Sequence, residues 1–134
     1  MSVYLCVIDP DSGDDIDGVE ISSSEFSEFR SYVAAALGGD VRTLIDFDTW
    51  DGRWTALEAQ TLSIELTIVE HELKSTKIPI SLRSKAERRA RDRDGTQPQS
   101  MNDFFIDHDG QPLARSLRRL AEGCIRHQGQ IRSQ

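Results

Sequence analysis

The segment 46–73 constrains the fold more than any other part of the chain, because it joins an acidic turn to a long helix. Its first nine residues (DFDTWDGRW) hold three aspartates and both tryptophans of the 134-residue chain. Asp51 and Gly52 are typical of a tight turn. Thr55 and Glu58 form a capping box, which predicts a helix start, and the apolar spacing continues to Leu73.

The helix predicted over 56–73 has two apolar stripes, whereas a surface helix normally has one. The first stripe contains Leu62, Leu66, Val69 and Leu73, and the nearly opposite stripe contains Leu57, Ile64 and Ile68. Two stripes indicate either a helix packed on both sides or a helix with one face left for a partner. We expect packing on both sides and keep the partner surface as the alternative.

Apolar runs and helix signals predict one α/β domain over residues 1–134, α+β in character, with a small sheet covered by about three helices. The sheet is predicted from strands at 3–8, 41–47 and 104–106, the last of which also suits a short helix end. Edge strands are predicted at 19–21 and 78–82, and a last strand is predicted after Gly129. The other two helices are predicted over 25–37, between a capping box at Ser22 and the pair Gly38-Gly39, and from Leu113 to just before Gly129.

The segment 83–100 is dense in arginine and is predicted to be a mobile charged segment or a solvated helix. A basic run of this kind is also found in nucleic-acid-binding proteins. The segment lacks interleaved aromatic residues and belongs to an acidic chain, so we do not expect nucleic-acid binding.

The net charge of −7 is unevenly distributed along the sequence. Residues 1–73 hold sixteen acidic residues against three arginines, and residues 74–134 hold thirteen basic residues against seven acidic ones. Such an acidic surface opposes nucleic-acid binding and favours a basic partner, although it also serves solubility alone. No apolar run is long enough to span a membrane, and no secretory signal is predicted.

Two cysteines, Cys6 and Cys124, each lie within an apolar pattern. We expect two buried free thiols, which is typical of a cytoplasmic protein. A bridge between them requires a spatial proximity that the sequence does not reveal.

Three apolar runs end in an Asp-x-Asp pair, which resembles the nucleophile loop of haloacid-dehalogenase-like phosphatases. The pairs are Asp9/Asp11, Asp46/Asp48 and Asp107/Asp109. Too little chain follows the third pair, and no clear lysine or late acidic motif completes the set. The histidines have no spacing that indicates a zinc site, and the loop 9–20 does not match a calcium-binding EF-hand loop. We therefore expect no enzyme, no metal and no cofactor, with a small haloacid-dehalogenase-like or metal-dependent hydrolase as the alternative.

Five segments, in the same order, resemble the immunity protein 70 family of bacterial polymorphic-toxin systems. They are 3–11 (VYLCVIDPD), 17–20 (DGVE), Phe29-Arg30, 51–58 (DGRWTALE) and 105–113 (FIDHDGQPL). The chain departs from the family at Ala56, where a proline is usual, and in the divergent region 75–100.

The resemblance implies a small cytoplasmic protein that binds a cognate toxin and neutralises it by occlusion, without catalysis. An acidic surface would be steered towards a toxin with a basic cleft. Trp50 or Trp54 would suit an interface anchor, and we expect the other to lie in the core. The predicted contact residues are Asp11, Asp14, Asp15, Asp17, Asp46, Asp48, Trp50 and Asp51.

Overall fold

The computed structural model describes residues 1–49, 51–93 and 97–134. Within these ranges the chain forms a single α+β domain, in which helices pack on a four-stranded antiparallel sheet. The predicted fold class is therefore confirmed. In chain order the elements are β1 Ser2–Ile8, β2 Asp15–Ser22, α1 Ser23–Leu37, α2 Arg42–Ile45, β3 Arg53–Thr55, α3 Ala56–Lys74, α4 Ile80–Arg93, α5 Met101–Phe104, α6 Leu113–His127 and β4 Gln130–Ser133.

The strand order in the sheet is β2-β1-β4-β3, so the first and last strands of the chain lie side by side in its centre. β1 pairs with β4 from Leu5, opposite Ser133, to Ile8, opposite Gln130. The predicted strand at 3–8 and the strand after Gly129 are both confirmed. The edge strand at 19–21 is also confirmed, and β2 extends from it back to Asp15 and forward by one residue to Ser22.

The three long helices predicted from capping and periodicity are present. Ser22 caps α1 by accepting a hydrogen bond from the backbone N–H of Glu25, and Thr55 and Glu58 form the predicted capping box of α3. α3 and α6 pack against each other and against the sheet. Their inward stripes meet the apolar face of β1, which is formed by Val3, Leu5 and Val7.

The predicted strand at 41–47 is wrong. A 3-10 turn, Gly38–Val41, leads directly into the short helix α2. The carboxylate of Glu65 on α3 accepts hydrogen bonds from the backbone N–H groups of Thr43 and Leu44, at 3.2 and 3.0 Å. A side chain more than 20 residues away in sequence thus accepts hydrogen bonds from the free backbone N–H groups at the start of this helix. The local sequence does not predict that contact.

The predicted strands at 78–82 and 104–106 are also wrong. Pro79 lies just before α4, where its missing N–H costs nothing, and its carbonyl accepts a hydrogen bond from Leu82. Residues 101–104 form α5, and Ile106 makes only an isolated bridge to Pro112. Short apolar runs fit a strand or a buried helix equally well, and in this protein residues of both runs belong to the helices α4 and α5.

The charged segment predicted to be mobile over 83–100 contains most of α4, which docks on the domain through Arg89. This guanidinium donates a hydrogen bond to the carbonyl of Phe104 at 2.9 Å and lies 4.3 Å from the centre of its ring. It also forms ion pairs with Glu25 and Glu28 of α1, at 3.7 and 3.3 Å. Residues 94–96 of this segment lie outside the described residues.

None of the described helices is long and apolar enough to cross a membrane.

Candidate functional site

The outward face of α3 carries an exposed apolar stripe. Leu57 is 74% exposed, Ile64 66% and Ile68 40%, although the helix itself is well packed. The opposite stripe is buried and consists of Leu62, Leu66, Val69 and Leu73. Our expectation that both faces pack inside the protein is therefore wrong, and the alternative of one open face is the arrangement found.

The exposed residues of α3 follow the spacing of a coiled-coil seam. Positions 57, 61, 64, 68 and 71 alternate steps of four and three residues, the spacing that keeps side chains in line along one face. Thr61 and His71 fill the two seam positions that are not apolar, and both are exposed. We call these five residues the α3 seam. Its apolar part, Leu57 to Ile68, spans about 16 Å at 1.5 Å per residue.

Two buried carboxylates fix α3 against its neighbours. Glu65 is bound to the start of α2, and Glu70 forms an ion pair with Arg118 of α6 at 2.8 Å. Both glutamates are less than 10% exposed, and paired carboxylates at such depth hold a helix in one orientation. The seam is therefore presented on a fixed scaffold.

The turn before α3 is built around Trp54, which is core and 2% exposed. Its ring stacks on Phe47 with 3.9 Å between centroids, and its indole Nε1–H donates to the carbonyl of Thr43 at 3.0 Å. A Cβ at Gly52 would clash with the carbonyl of Asp48, so glycine is required in this turn. The other tryptophan, Trp50, lies outside the described residues, and its predicted role as an interface anchor stays a prediction.

A cleft of about 400 Å³ lies beside the first turn of α3 and contains two of the predicted contact residues, Asp46 and Asp48. Glu58 also lines it, so three carboxylates lie against one end of the seam. Two arginines, Arg42 and Arg53, share the cleft and leave an excess of one negative charge. Arg42 lies 3.9 Å from the carboxylate of Asp46, and both side chains are mainly exposed.

Asp51 is exposed and lines a neighbouring cleft together with Arg53 and Arg132. Arg30 supports the turn from below, donating to the carbonyl of Phe47. Burial lowers the pKa of Arg30, while the charges of Asp46 and Asp48 act to raise it.

The predicted acidic loop is divided between exposed and engaged residues. Asp11 and Asp14 are exposed in the turn between β1 and β2. Asp17 forms an ion pair with Arg119 of α6 at 2.8 Å. Asp15 is also exposed, and its charge adds to the effect of burial in raising the pKa of the Cys6 thiol. Asp11, Asp14 and Asp15 are therefore exposed as the predicted role requires, whereas Asp17 is engaged in an ion pair.

The structure does not bring the two acidic groups together. Ile8 and Thr55 both lie opposite Gln130, so the loop that follows β1 is at the same end of the sheet as the start of α3. Residues 46–49 and 51–52 precede β3 and lie at the other end, beside Ser133, whose hydroxyl donates to the carbonyl of Thr49 at 2.6 Å. A second cleft of about 550 Å³ lies between the loop and α3, and both Asp9 and Thr55 line it.

The Asp-x-Asp pair at 107 is part of the scaffold. Asp107 is 3% exposed, and its oxygens accept hydrogen bonds from the backbone N–H groups of Asp109 and Gln111 and from the hydroxyl of Ser116. A carboxylate engaged in this way has no oxygen directed at a substrate. No group of three or more His, Cys, Asp or Glu side chains suited to a metal occurs in the described part of the chain.

Both cysteines are buried and free, as predicted. Burial and the neighbouring Asp15 raise the pKa of the Cys6 thiol to about 11. Burial also raises the pKa of Cys124, whose thiol donates to the carbonyl of Gly129 at 3.3 Å. Neither thiol is therefore poised as a nucleophile at neutral pH.

Sequence reasoning missed the flanks of the α3 seam. In heptad terms Glu58, Glu65 and Glu72 occupy one flank, and Gln60, Thr67 and Lys74 occupy the other. The helical periodicity that predicted the two stripes also determines which residues flank each stripe. The flanks of the seam could be assigned only after the structure showed that the stripe with Leu57, Ile64 and Ile68 faces outward.

Comparison with known proteins gives no match: no family model fits the chain, and no curated protein or solved structure is detectably similar to it.

Proposed function

We propose that the protein is a cytoplasmic immunity protein that binds a cognate bacterial toxin and neutralises it by occlusion, without turnover. The observation that carries the proposal is the α3 seam, where three large apolar side chains are exposed on a rigid, well-packed helix. Exposed apolar patches framed by polar residues are typical of protein-binding surfaces. The toxin-specific part of the proposal rests on the short segments that resemble immunity protein 70.

The charge of the surface supports a protein partner with a basic face. Asp46, Asp48 and Glu58 lie beside one end of the seam, and Asp11 and Asp14 lie beyond the second cleft. Such carboxylates speed the encounter with a basic partner and disfavour nucleic acid, while the apolar residues supply most of the affinity. Association is then expected to slow as salt is raised.

The test is to search the genes that neighbour this one for a toxin domain and to co-express that domain with this protein. The proposal predicts that growth is restored and that the two proteins form a stoichiometric complex. Failure of rescue together with absence of a complex would reject it. Phosphatase turnover by the purified protein, lost in Asp9→Asn or Asp107→Asn, would instead support the hydrolase alternative.

A further inference from the structure

We propose that the α3 seam receives an amphipathic helix of the partner protein, whose basic residues lie opposite Glu58 and Glu72. This inference rests on the proposed function and adds the chemistry of the partner segment. It follows from the spacing of the seam, from its uncharged surface and from the unequal charge of its two flanks.

The spacing specifies a helix as the occupant. Steps of four and three residues along a straight face fit the knobs-into-holes packing of a second helix, which reads the same repeat. The apolar length of about 16 Å corresponds to three turns of a partner helix. An extended strand repeats every two residues and would not match the seam.

The centre of the seam carries no fixed charge. Between Leu57 and Ile68 the exposed positions hold Ile64, the uncharged Gln60, Thr61 and Thr67, and one charged residue, Glu58, which lies on a flank of the seam, in a chain in which 29% of residues are charged. Charge-poor centres with charged rims are typical of protein interfaces. The seam thus has the composition of a contact surface, in contrast to the arginine-rich outer face of α6.

The flanks determine the charge of the occupant. Glu58 and Glu72 lie on the same flank, about 21 Å apart at 1.5 Å per residue, and Glu65 between them is already bound to α2. Asp46 and Asp48 extend this acidic side at the first turn. Charged residues on the flanks of a helix–helix contact select the partner by their charge. Lysine or arginine on the facing helix would complement the acidic flank of the α3 seam.

A second copy of this chain fits the flanks poorly. In an antiparallel pair the acidic flank faces itself, so Glu58 and Glu72 of one copy oppose those of the other. In a parallel pair the acidic flank faces the flank of Gln60, Thr67 and Lys74, whose one positive charge lies at the end of the helix and is already paired with Glu70 at 3.9 Å. Each copy also carries a net charge of −7, which opposes association.

The inference is tested with two synthetic 21-residue helical peptides that share a leucine seam and differ only in having lysine or glutamate along their flanks. We expect the lysine peptide to bind at least about tenfold more tightly at low salt, with the difference shrinking at high salt. Ile64→Asp should weaken its binding at least about tenfold, and Glu72→Lys should remove the preference for lysine over glutamate.

The matched control is Ile80→Asp. Ile80 is an isoleucine on α4 that is 91% exposed, and its replacement adds the same negative charge away from the seam. It should leave binding unchanged, whereas non-specific attraction to an acidic protein would affect both variants equally. Ile64→Ser, which adds no charge, repeats the test should Ile64→Asp fold poorly by circular dichroism.

Three results would overturn the inference: equal binding of the two peptides, no detectable binding of the lysine peptide, or unchanged binding in the Ile64 variants. A dimer in sedimentation that Ile64→Asp converts to a monomer would assign the seam to a second copy instead. If the wild type and Ile64→Asp neutralise the toxin equally well, the proposed function stands and this inference fails.

Discussion

The helices α3 and α6, which pack against each other, are closely matched on their inner faces and differ on their outer faces. α6 buries one apolar stripe, which includes Leu117 and Leu120, and turns Arg115, Arg119 and Arg126 outward. α3 buries an equivalent stripe and still exposes Leu57 and Ile64. Burial in the core explains why the inner faces of both helices are apolar. Of the two outer faces, only that of α3 has exposed apolar residues that the packing of the fold does not require.

The largest expected effect comes from the inner faces, which should behave alike. Leu66→Ala in α3 and Leu120→Ala in α6 each remove a fully buried side chain. Each should lower the free energy of unfolding by about 2–5 kcal/mol, through lost apolar burial and a residual cavity. Chemical denaturation measures both changes. If the free energy of unfolding fell by less than about 1 kcal/mol for only one of the two variants, the inner faces of α3 and α6 would not contribute equally to stability.

A smaller effect is expected at the carboxylates of α3. Glu65→Ala leaves the N–H groups of Thr43 and Leu44 without their acceptor and should cost about 1–3 kcal/mol. Glu72→Ala on the outer side of the same helix should cost less than about 0.5 kcal/mol. The same denaturation experiment compares the two. Equal costs would mean that Glu65 does not fix α2 against α3.

The reactivity of cysteine thiols distinguishes the exposed face of α3 from the buried faces of α6 and β1, with little change in stability. In Ile64→Cys the new thiol lies on the exposed face of α3, so it should react with a disulfide reagent at pH 8 in native protein. Cys124 in α6 and Cys6 in β1 should react only after unfolding, since both are buried and their pKa values are raised. Rapid native labelling of the wild type would contradict this placement.

The same thiols predict the alkaline stability. In the unfolded chain Cys6 titrates near its ordinary pKa of about 9, whereas in the folded protein its pKa is about 11. Its contribution to stability is therefore fully present below pH 9 and is lost as pH rises to 11. Cys6→Ala should flatten that decline in denaturation curves measured across this range. An unchanged slope would show that the thiol does not contribute to it.

The smallest effect on stability is expected on the outer faces. Ile64→Ala in α3 and Arg115→Ala in α6 should each change the free energy of unfolding by less than about 0.5 kcal/mol, because neither side chain is buried. Thermal unfolding of the two variants beside the wild type provides the measurement. A loss above about 1 kcal/mol for Ile64→Ala would mean that this residue supports the fold.

The sequence predicted those helices and strands whose position is determined by residues within or next to the element itself. Capping residues placed the starts of α1 and α3, and apolar periodicity placed α6 and β1. The predictions failed where distant side chains decide the backbone. Glu65 binds the backbone N–H groups at the start of the helix at 42–45, where a strand was predicted. The mobility predicted for 83–100 stays a prediction, and within that segment Arg89 docks α4 on the domain.

The candidate site was predictable in its parts but not in its arrangement. The acidic turn beside α3 follows from the sequence, and so do the two stripes of the helix. Which stripe faces outward depends on where α6 and α2 pack, and the directions of β1, β3 and β4 place Asp11 and Asp46 towards opposite ends of the sheet. Ion pairs such as Asp17 with Arg119 join residues 102 positions apart and leave no local pattern.

The most direct test of the central claim is toxin neutralisation by Ile64→Asp compared with Ile80→Asp. Both variants replace an exposed isoleucine by aspartate, and both should remain folded. The account predicts that Ile64→Asp loses toxin binding and growth rescue, whereas Ile80→Asp retains both. Full rescue by Ile64→Asp, with an affinity equal to that of the wild type, would contradict the claim that the exposed face of α3 is the binding surface.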